Sequence, residues 1–225
     1  RIESSAASDV YKRQLLSFLT KTELPKEHDA LVGREEKIFE PTTHYVNKNK
    51  YPIEDSIFEK VYFGMGCFWG AEKYMWEIEG VSYTSAGYGD GFTKNPTYEE
   101  VCSGKTAHNE IVEVVFDPNK IEFSILLKAF WENHDPTQGM RQGYDIGTQY
   151  RSGLYVTNQK QMEQAQETKK AYEAILVKSG FKPITTEIKE IKNFFFAEEY
   201  HQQYLAKNPG GYCGHGGCGI KLDLS

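Results

Sequence analysis

The chain has 225 residues, and its 26 Lys and Arg against 32 Asp and Glu give a formal net charge of -6. This length supports one well-filled core rather than two full domains. A mildly acidic chain without a basic block is a poor candidate for binding nucleic acid or an anionic membrane. No apolar run approaches the roughly 18 residues that a membrane-spanning helix needs, so we expect a soluble protein with no nucleic-acid or membrane partner.

Residues 1–57 are polar and carry three prolines, a pattern that predicts an irregular arm wrapped around the rest of the chain. Residues 1–14 are rich in small polar residues and have no apolar segment of a secretory signal, so we expect that they are not part of the natural protein. A transit peptide is the alternative, although Glu3 and Asp9 weaken it. We therefore expect a cytoplasmic protein, with a mitochondrial location as the alternative.

Residues 58–208 alternate between strand and helix patterns and should form the main domain. Apolar alternation or short apolar runs predict strands at VYFGMG, VSYTSAGYGDG, NEIVEVVFDP and SGLYVTN, with an edge strand at TTEIKEIK. Helical spacing and end signals predict helices at CFWGAEKYMWEIEG, NPTYEEVCSG, EFSILLKAFWENHD, QKQMEQAQETKKAYEAILVKSG and AEEYHQQYLAKNP. This order predicts an α+β fold, a split βαβ (ferredoxin-like) plait with a mixed, largely antiparallel sheet.

Residues 209–225 form a glycine-rich end, since six of the ten residues from Gly210 to Gly219 are glycine. Such a composition predicts a long, coil-rich and flexible tail. Two of the chain's four cysteines, Cys213 and Cys218, lie in it. Without a secretory signal, reactive thiols are favoured over structural disulfides.

A third cysteine, Cys67, stands in GMGCFWG at the junction of a predicted strand and a predicted helix. The exposed N–H groups and partial positive charge of a helix N-terminus favour a thiolate, and the flanking glycines leave room for a substrate. By position alone, a small buried apolar residue is an equally good interpretation. The neighbouring rings of Phe68 and Trp69 favour a pocket, although ordinary packing remains the alternative for Phe68.

Several blocks now carry a resemblance that spans about residues 60 to 219. GCFWGAE is similar to the signature of the peptide methionine sulfoxide reductase A family. The similarity continues, in the expected order, through PTYEEVCSGKTAHNE, FWENHDPTQGMRQGYDIGTQYRS and YHQQYLAKNPGGYCG. The resemblance implies a thiol reductase acting on the S epimer of methionine sulfoxide, free or in proteins, and a catalytic domain over residues 58–208. Enzymes of this class restore oxidised methionine.

The resemblance implies that Cys67 attacks the sulfoxide sulfur and that Phe68 and Trp69 form an apolar slot for the methyl group. Glu110 matches the family's proton donor, in a motif that usually reads Gly-His-Ala-Glu and here reads AHNE. From its position alone, a glutamate at a strand edge would be assigned to solvent. Beside an aromatic pocket its pKa should rise, which would keep it protonated near neutral pH.

Three further residues match family positions that contact the substrate. Tyr98 and Tyr150 match tyrosines whose hydroxyls bind the sulfoxide oxygen, although in a chain with 15 Tyr any single one is more often a packing residue. Asp145 matches an aspartate that positions the substrate. Tyr144 stands where the family commonly has a smaller residue, which should alter the rim of the pocket.

The resemblance also implies how the enzyme is regenerated. Reduction leaves Cys67 as a sulfenic acid; Cys213 matches the first resolving cysteine, and Cys218 would then take over the disulfide and present it to thioredoxin. Cys102, in a predicted short helix, is interpreted as structural. The implied reaction needs no cofactor and no metal, and we expect a monomer.

Two other functions stay open from the residues alone. In a cysteine hydrolase or acyl transferase, Cys67 would use a histidine base such as His108 or His134. In a non-enzymatic zinc module, Cys213 and Cys218 would bind the ion with His201 or His215, although rigid ligation within a glycine-rich stretch is doubtful. The resemblance implies no nucleophile-activating role for His108, His134 or His201, and His201 is expected on a polar last helix.

Overall fold

The computed structural model describes residues 21–51, 57–214 and 216–223. Residues 1–14, predicted not to be native, lie outside these ranges. His215, a ligand in the zinc hypothesis, also lies outside them.

The described residues alternate between strands and helices from Glu59 onward. The strands are β1 (Glu59–Met65), β2 (Val81–Gly89), β3 (Asn109–Phe116), β4 (Arg141–Gln142), β5 (Asp145–Ile146), β6 (Ser152–Val156), β7 (Glu187–Glu190) and β8 (Phe194–Phe196). The helices are α1 (Phe68–Trp76), α2 (Tyr98–Cys102), α3 (Phe123–Glu132), α4 (Gln159–Lys178) and α5 (Tyr204–Lys207). Thr97 caps α2 and Glu100 completes its capping box, as the TYEE sequence favours.

The main sheet has six strands in the order β7-β6-β1-β3-β2-β8. β6 and β7 pair in parallel, and the other neighbours are antiparallel. β4 and β5 form a separate two-stranded sheet. The predicted α+β class with a mixed, largely antiparallel sheet is therefore confirmed.

Alternation along β1 separates two apolar clusters. Val61, Phe63 and Met65 belong to the large core, which also contains buried side chains of α1, α3 and α4. Tyr62 belongs instead to a smaller cluster with Ile111. Successive side chains of a strand point to opposite faces, so the large core lies on the face that the helices cover. No helix within the described ranges has both the length and the apolar character needed to cross a membrane.

The last predicted helix, AEEYHQQYLAKNP, is wrong as a continuous element. The segment forms a 3-10 turn at Glu199–His201 and then α5, and between them Gln203 has φ +47. The side chain of Gln202 bonds both the N–H and the carbonyl of Ala86 in β2. These contacts with the sheet replace helical hydrogen bonds and break the helix.

The glycine-rich tail carries no helix or strand over 208–214 and 216–223, but its far part is not free. Leu222 is fully buried in the large core. Its N–H donates to Glu132 Oε1 at 2.8 Å, and the Tyr172 hydroxyl donates to the carbonyl of Ile220 at 3.1 Å. Residues 220–222 are therefore docked on the domain by an apolar side chain and by backbone hydrogen bonds, and the flexibility expected of the tail stays a prediction.

The described part of the predicted arm, residues 21–51, has one 3-10 turn at Glu27–Asp29 and packs against the domain. Arg34 binds both carboxylate oxygens of Glu100, with N–O distances of 2.9 and 2.7 Å. His44 is fully buried and contacts Thr84 of β2. The arm thus contacts both α2 and β2.

Candidate active site

Cys67 lies where β1 turns into α1, immediately before the first helical residue. Gly66 before it has φ +89, and a Cβ on it would lie 2.6 Å from the side chain of Gln142. Both facts require glycine. The turn holds the sulfur at the helix N-terminus, and Cys67 is 8% exposed.

The thiol of Cys67 is not acidified in the free protein, contrary to the sequence expectation. Burial is the largest cause and, with the negative charge of Glu110, raises the pKa of this thiol well above its usual value. The N–H groups of Trp69 and Gly70 bond the sulfur and lower the pKa, as a helix N-terminus should. Desolvation outweighs them.

Glu110 lies at the start of β3 and is 1% exposed. Its Oε2 accepts a hydrogen bond from the backbone N–H of Phe68 at 3.2 Å, while Oε1 has no partner among the described residues. Burial raises its pKa to about 8, against the opposing effect of the Phe68 N–H. The direction of this shift is the one expected from the sequence. Because Oε2 accepts a bond, the proton of the neutral acid belongs on Oε1.

Tyr98 and Tyr150 lie close enough to Glu110 for its charge to affect them. Burial, and after it the charge of Glu110, raises the pKa of both hydroxyls, so both stay neutral hydrogen-bond donors. The Tyr98 hydroxyl also shares a hydrogen bond with the thiol of Cys102. Cys102, interpreted from sequence as structural, therefore contacts a residue of the candidate site.

Phe68 and Trp69 form an aromatic wall beside Cys67. Phe68 is 1% exposed and packs in the core, while Trp69 is half-buried. The Trp69 ring stacks on Tyr204 with centroids 3.9 Å apart, and its indole N–H donates to His201 Nδ1 at 2.9 Å.

His201 is a site residue that sequence reasoning missed. It was expected on a polar helix, yet it is 1% exposed, and burial lowers its pKa to about 4. Its ring lies 4.9 Å from that of Phe68 and 4.7 Å from that of Tyr98, centroid to centroid. Only the block YHQQYL pointed to this position.

Asp145 joins the candidate site to the tail. Its Oδ2 accepts a hydrogen bond from the Tyr212 hydroxyl at 3.2 Å, and burial raises its pKa against the effect of this bond. The charges of Asp145, Cys67 and Cys213 all influence the Tyr212 hydroxyl. Tyr212 therefore lies near both thiols. Tyr144, next to Asp145, is 93% exposed.

The four cysteines all lie within the described ranges and are free thiols. Cys213 is exposed, and Cys218 is half-buried. The Cys218 thiol shares a hydrogen bond with Asp135, and burial together with the charge of Asp135 raises its pKa to about 12. In this arrangement Cys218 is held protonated.

The histidine bases of the hydrolase hypothesis are bound elsewhere. His108 accepts from the Gly91 N–H at Nδ1, and its Nε2 donates to the Thr93 carbonyl at 2.7 Å. His134 donates from Nδ1 to the Phe130 carbonyl, and its Nε2 lies 2.7 Å from Ser152 Oγ. The hydrolase hypothesis therefore finds no support from either ring.

The zinc hypothesis also lacks support in the described part of the chain. There, no group of three or more His, Cys, Asp or Glu is placed to hold a metal ion. His201 uses Nδ1 to bind Trp69 and lies in the aromatic wall.

Comparison with known proteins identifies the family. The family model described as peptide methionine sulfoxide reductase matches residues 59–218. The chain is 55% identical over 208 residues to "Peptide methionine sulfoxide reductase MsrA 2" of Nostoc sp., covering 92% of this chain and 93% of the relative. It is also 55% identical over 207 residues to an MsrA of Pseudomonas savastanoi pv. phaseolicola, covering 91% and 96% respectively.

Solved structures agree. Methionine sulfoxide reductase A of Corynebacterium diphtheriae is 44% identical, with a TM-score of 0.81 over 88% of this chain and 99% of that one. Reduced Mxr1 from Saccharomyces cerevisiae is 34% identical, with a TM-score of 0.66 over 75% of this chain and 94% of that one. The chain belongs to the peptide methionine sulfoxide reductase A family.

Proposed function

We propose that Cys67 attacks the sulfur of an S-methionine sulfoxide, free or in a protein, while Glu110 delivers a proton to the oxygen. The family membership makes the chain a thiol-dependent reductase of methionine sulfoxide. The observation that carries the assignment of residues is the bond from the Phe68 N–H to Glu110 Oε2. This bond holds the carboxyl group of Glu110 beside Phe68, the residue that follows Cys67. The Oε1 atom of the protonated carboxyl is then available to donate a hydrogen bond.

The proposed step oxidises Cys67 by two electrons. The thiol proton and the Glu110 proton go to the sulfoxide oxygen as the Cys67 sulfur attacks, so the S–O bond breaks, water leaves, and an S–S bond joins Cys67 to the substrate sulfur. Water then attacks the Cys67 sulfur and returns a proton to Glu110, the S–S bond breaks, and the products are methionine and a Cys67 sulfenic acid. The N–H groups of Trp69 and Gly70 stabilise the developing thiolate. A neutral Glu110 adds no opposing charge and can protonate the oxygen.

The remaining contacts position the substrate. The neutral hydroxyls of Tyr98 and Tyr150 are proposed to bind the sulfoxide oxygen, a role supported by their electrostatic proximity to Glu110. Trp69, with Phe68 behind it, is proposed to receive the methyl group, since apolar surface excludes water there. Asp145 is proposed to orient the substrate once Tyr212 moves away.

Regeneration is proposed to follow the order Cys213, Cys218 and thioredoxin. Condensation of the Cys213 thiol with the sulfenic acid forms a 67–213 disulfide and releases water. Cys218 then attacks Cys213, which frees Cys67, and thioredoxin reduces the 213–218 disulfide. Support comes from Tyr212, which is influenced by the charges of both Cys67 and Cys213.

The organisation of the chain belongs to the same proposal. We divide it into an arm at 1–57, a catalytic domain at 58–208 and a recycling tail at 209–225. The order β6-β1-β3-β2, in which both sheet neighbours of β1 are antiparallel to it, supports a split βαβ plait. The proposed location is the cytoplasm, since thioredoxin keeps cytosolic thiols reduced. The proposed oligomeric state is a monomer.

The deciding experiment incubates the protein with dithiothreitol and each epimer of methionine sulfoxide separately. We expect the S epimer to be reduced and the R epimer to remain. Cys67→Ser should abolish the reaction, with Cys102→Ser as a cysteine control that retains it. Equal reduction of both epimers, or turnover by Cys67→Ser, would refute the assignment.

A further inference from the structure

Glu72, in α1, is a buried carboxylate that the proposed reaction does not use. Its side chain is completely buried. Oε1 accepts from the Thr84 hydroxyl at 3.0 Å and from Gln203 Nε2 at 2.7 Å, and Oε2 accepts from the backbone N–H of Gln203 at 2.7 Å. Buried carboxylates are rare and need partners of this kind. Two of the three donors belong to Gln203.

The tautomer of His44 determines which atom donates and which accepts in each hydrogen bond between His44, Thr84 and Glu72. Its Nδ1 accepts from the N–H groups of Val46 and Asn47, both at 3.2 Å. The ring proton is therefore on Nε2, which donates to the Thr84 hydroxyl at 2.9 Å. Thr84 must then donate to Glu72. Glu72 is thus the acceptor at which the arm, β2 and the segment before α5 meet.

Gln203 adopts a backbone conformation that needs such an acceptor. Its φ of +47 lies in the left-handed region, which is a strained conformation for a residue other than glycine. In that conformation its N–H points at Glu72. Removing the acceptor would leave a strained residue with a buried, unbonded N–H, so the backbone of the segment would shift.

The residues on either side of Gln203 hold Trp69. His201 accepts the indole N–H at 2.9 Å, and the Tyr204 ring stacks on the indole at 3.9 Å and 16°. Trp69 and Glu72 are three residues apart on α1, so both side chains face the same segment. Helix α1 therefore contacts the segment His201–Tyr204 through two side chains, Trp69 and Glu72. Trp69 is also the proposed wall of the substrate slot.

We propose that Glu72 is a positioning residue that sets the place of Trp69, acting through Gln203 on His201 and Tyr204. The inference rests on the proposed function, because it gives Trp69 its role in holding the substrate methyl group. If Glu72 has this role, the width of the slot depends on the hydrogen bond from the Gln203 N–H to Glu72, although neither residue contacts the substrate.

The first test is a double-mutant cycle between Glu72→Gln and Trp69→Phe. In Glu72→Gln the amide keeps one acceptor oxygen, and whichever way it is turned its N–H₂ faces one of the two Gln203 donors. We therefore expect KM for S-methionine sulfoxide to rise about tenfold, while the saturated single-turnover rate changes less than about threefold. With Phe at 69, which has no indole N–H, the same substitution should change KM less than about twofold. Equal effects in both backgrounds would overturn the inference.

Two variants separate positioning from general destabilisation. Glu113→Gln removes another buried carboxylate, which pairs with Lys60 at 2.9 Å. Glu113 lies opposite Ser85, so its side chain is on the face of the sheet away from Thr84 and Glu72, and the substitution should leave KM unchanged. Gln203→Asn keeps a residue that tolerates the left-handed region but shortens the amide away from Glu72. It should raise KM in the same direction as Glu72→Gln, and an unchanged KM would count against the proposal if Glu72→Gln fails to fold.

The second test does not depend on activity. The indole N–H resonance of Trp69, assigned by its loss in Trp69→Phe, should shift in Glu72→Gln, and its hydrogen exchange should become at least about tenfold faster. Trp131, whose indole donates to Thr168 at 3.0 Å, serves as a control within the same molecule and should not change. An unmoved Trp69 resonance would contradict the proposal.

The two tests also distinguish failure of the proposed function from failure of the positioning role of Glu72. Failure of the unaltered protein to reduce the sulfoxide would refute the proposed function, while the resonance of Trp69 would still decide whether Glu72 positions it. Normal reduction together with an additive cycle would refute the positioning role alone.

Discussion

At Glu110 one carboxyl group has two different oxygen environments. Oε2 is bonded to the Phe68 N–H, and Oε1 has no partner among the described residues. A buried acid with a pKa raised to about 8 is protonated at neutral pH. The free oxygen is thus the natural place for a transferable proton.

Glu110→Gln should therefore slow the chemical step. The amide keeps an acceptor for the Phe68 N–H but cannot release an acidic proton, so we expect the single-turnover rate to fall by about 100-fold to 1,000-fold. Substrate binding should change little, since shape and hydrogen bonding are retained. Rapid-quench single-turnover assays measure the rate, and Glu113→Gln is the matched carboxylate control. An unaffected rate would place the donor elsewhere.

The pKa of Glu110 also predicts a pH dependence. Glu110 keeps its proton below about pH 8 and loses it above, while the Cys67 thiol stays protonated because burial raises its pKa well above the usual value. The single-turnover rate should therefore fall as the pH rises through about 8. Glu110→Gln should lack this decline, because its amide does not titrate. A pH series of single-turnover rates for both proteins checks this, and an identical decline in the variant would assign it to another group.

Ala107 shows how one residue departs from the family motif. It has φ +59, a conformation that disfavours residues with a Cβ and suits the glycine usual in the family. Arg151 Nη2 donates to its carbonyl at 3.2 Å. The AHNE motif therefore keeps the position of Glu110 while placing an alanine in a strained conformation.

At the scale of elements, the tail is held near its end. Leu222 is buried, and Glu132 accepts its N–H and pairs with Lys221 at 2.8 Å. This docking keeps Cys218 half-buried beside Asp135. In the proposed recycling Cys213 and Cys218 exchange a disulfide, so the docked part would have to loosen.

Leu222→Ala should release Cys218. Loss of the buried side chain weakens docking by about 2–3 kcal/mol, which exposes the thiol and frees it from Asp135. We expect faster modification of Cys218 by a thiol reagent, followed by mass spectrometry of the labelled peptides. Cys213, already exposed, serves as the control and should react at an unchanged rate. If Cys218 reacted no faster, the docking of Leu222 would not be what protects it.

For the whole molecule, the proposed cycle joins residues that are 146 positions apart in the chain (213 minus 67). Tyr212 brings the tail to the site through its bond with Asp145 at 3.2 Å. Cys213→Ser should therefore reduce one equivalent of sulfoxide and then stop when thioredoxin is the reductant. Quantifying methionine per enzyme, with and without thioredoxin, measures this. A lost first turnover would give Cys213 a different role, and sustained turnover would remove it from recycling.

Local patterns in the sequence were enough to predict the α+β class, most strands and helices, and the family. The spacing of apolar residues indicates local preference for strand or helix. The residues around Cys67 and Glu110 lie in contiguous blocks of sequence, so the family resemblance could be read directly from them. Short elements such as β8, with the sequence FFF, and the pair β4 and β5 carried no periodic signal.

The remaining features depend on contacts between residues that are distant in the chain. The break in the last helix depends on Gln202 and Gln203 finding partners in β2 and α1, and the high pKa of Cys67 depends on burial that outweighs the helix N-terminus. His201 became a site residue only because folding placed it against Trp69. Hydrogen-bond partners and desolvation are set by residues distant in the chain, so local sequence cannot specify them.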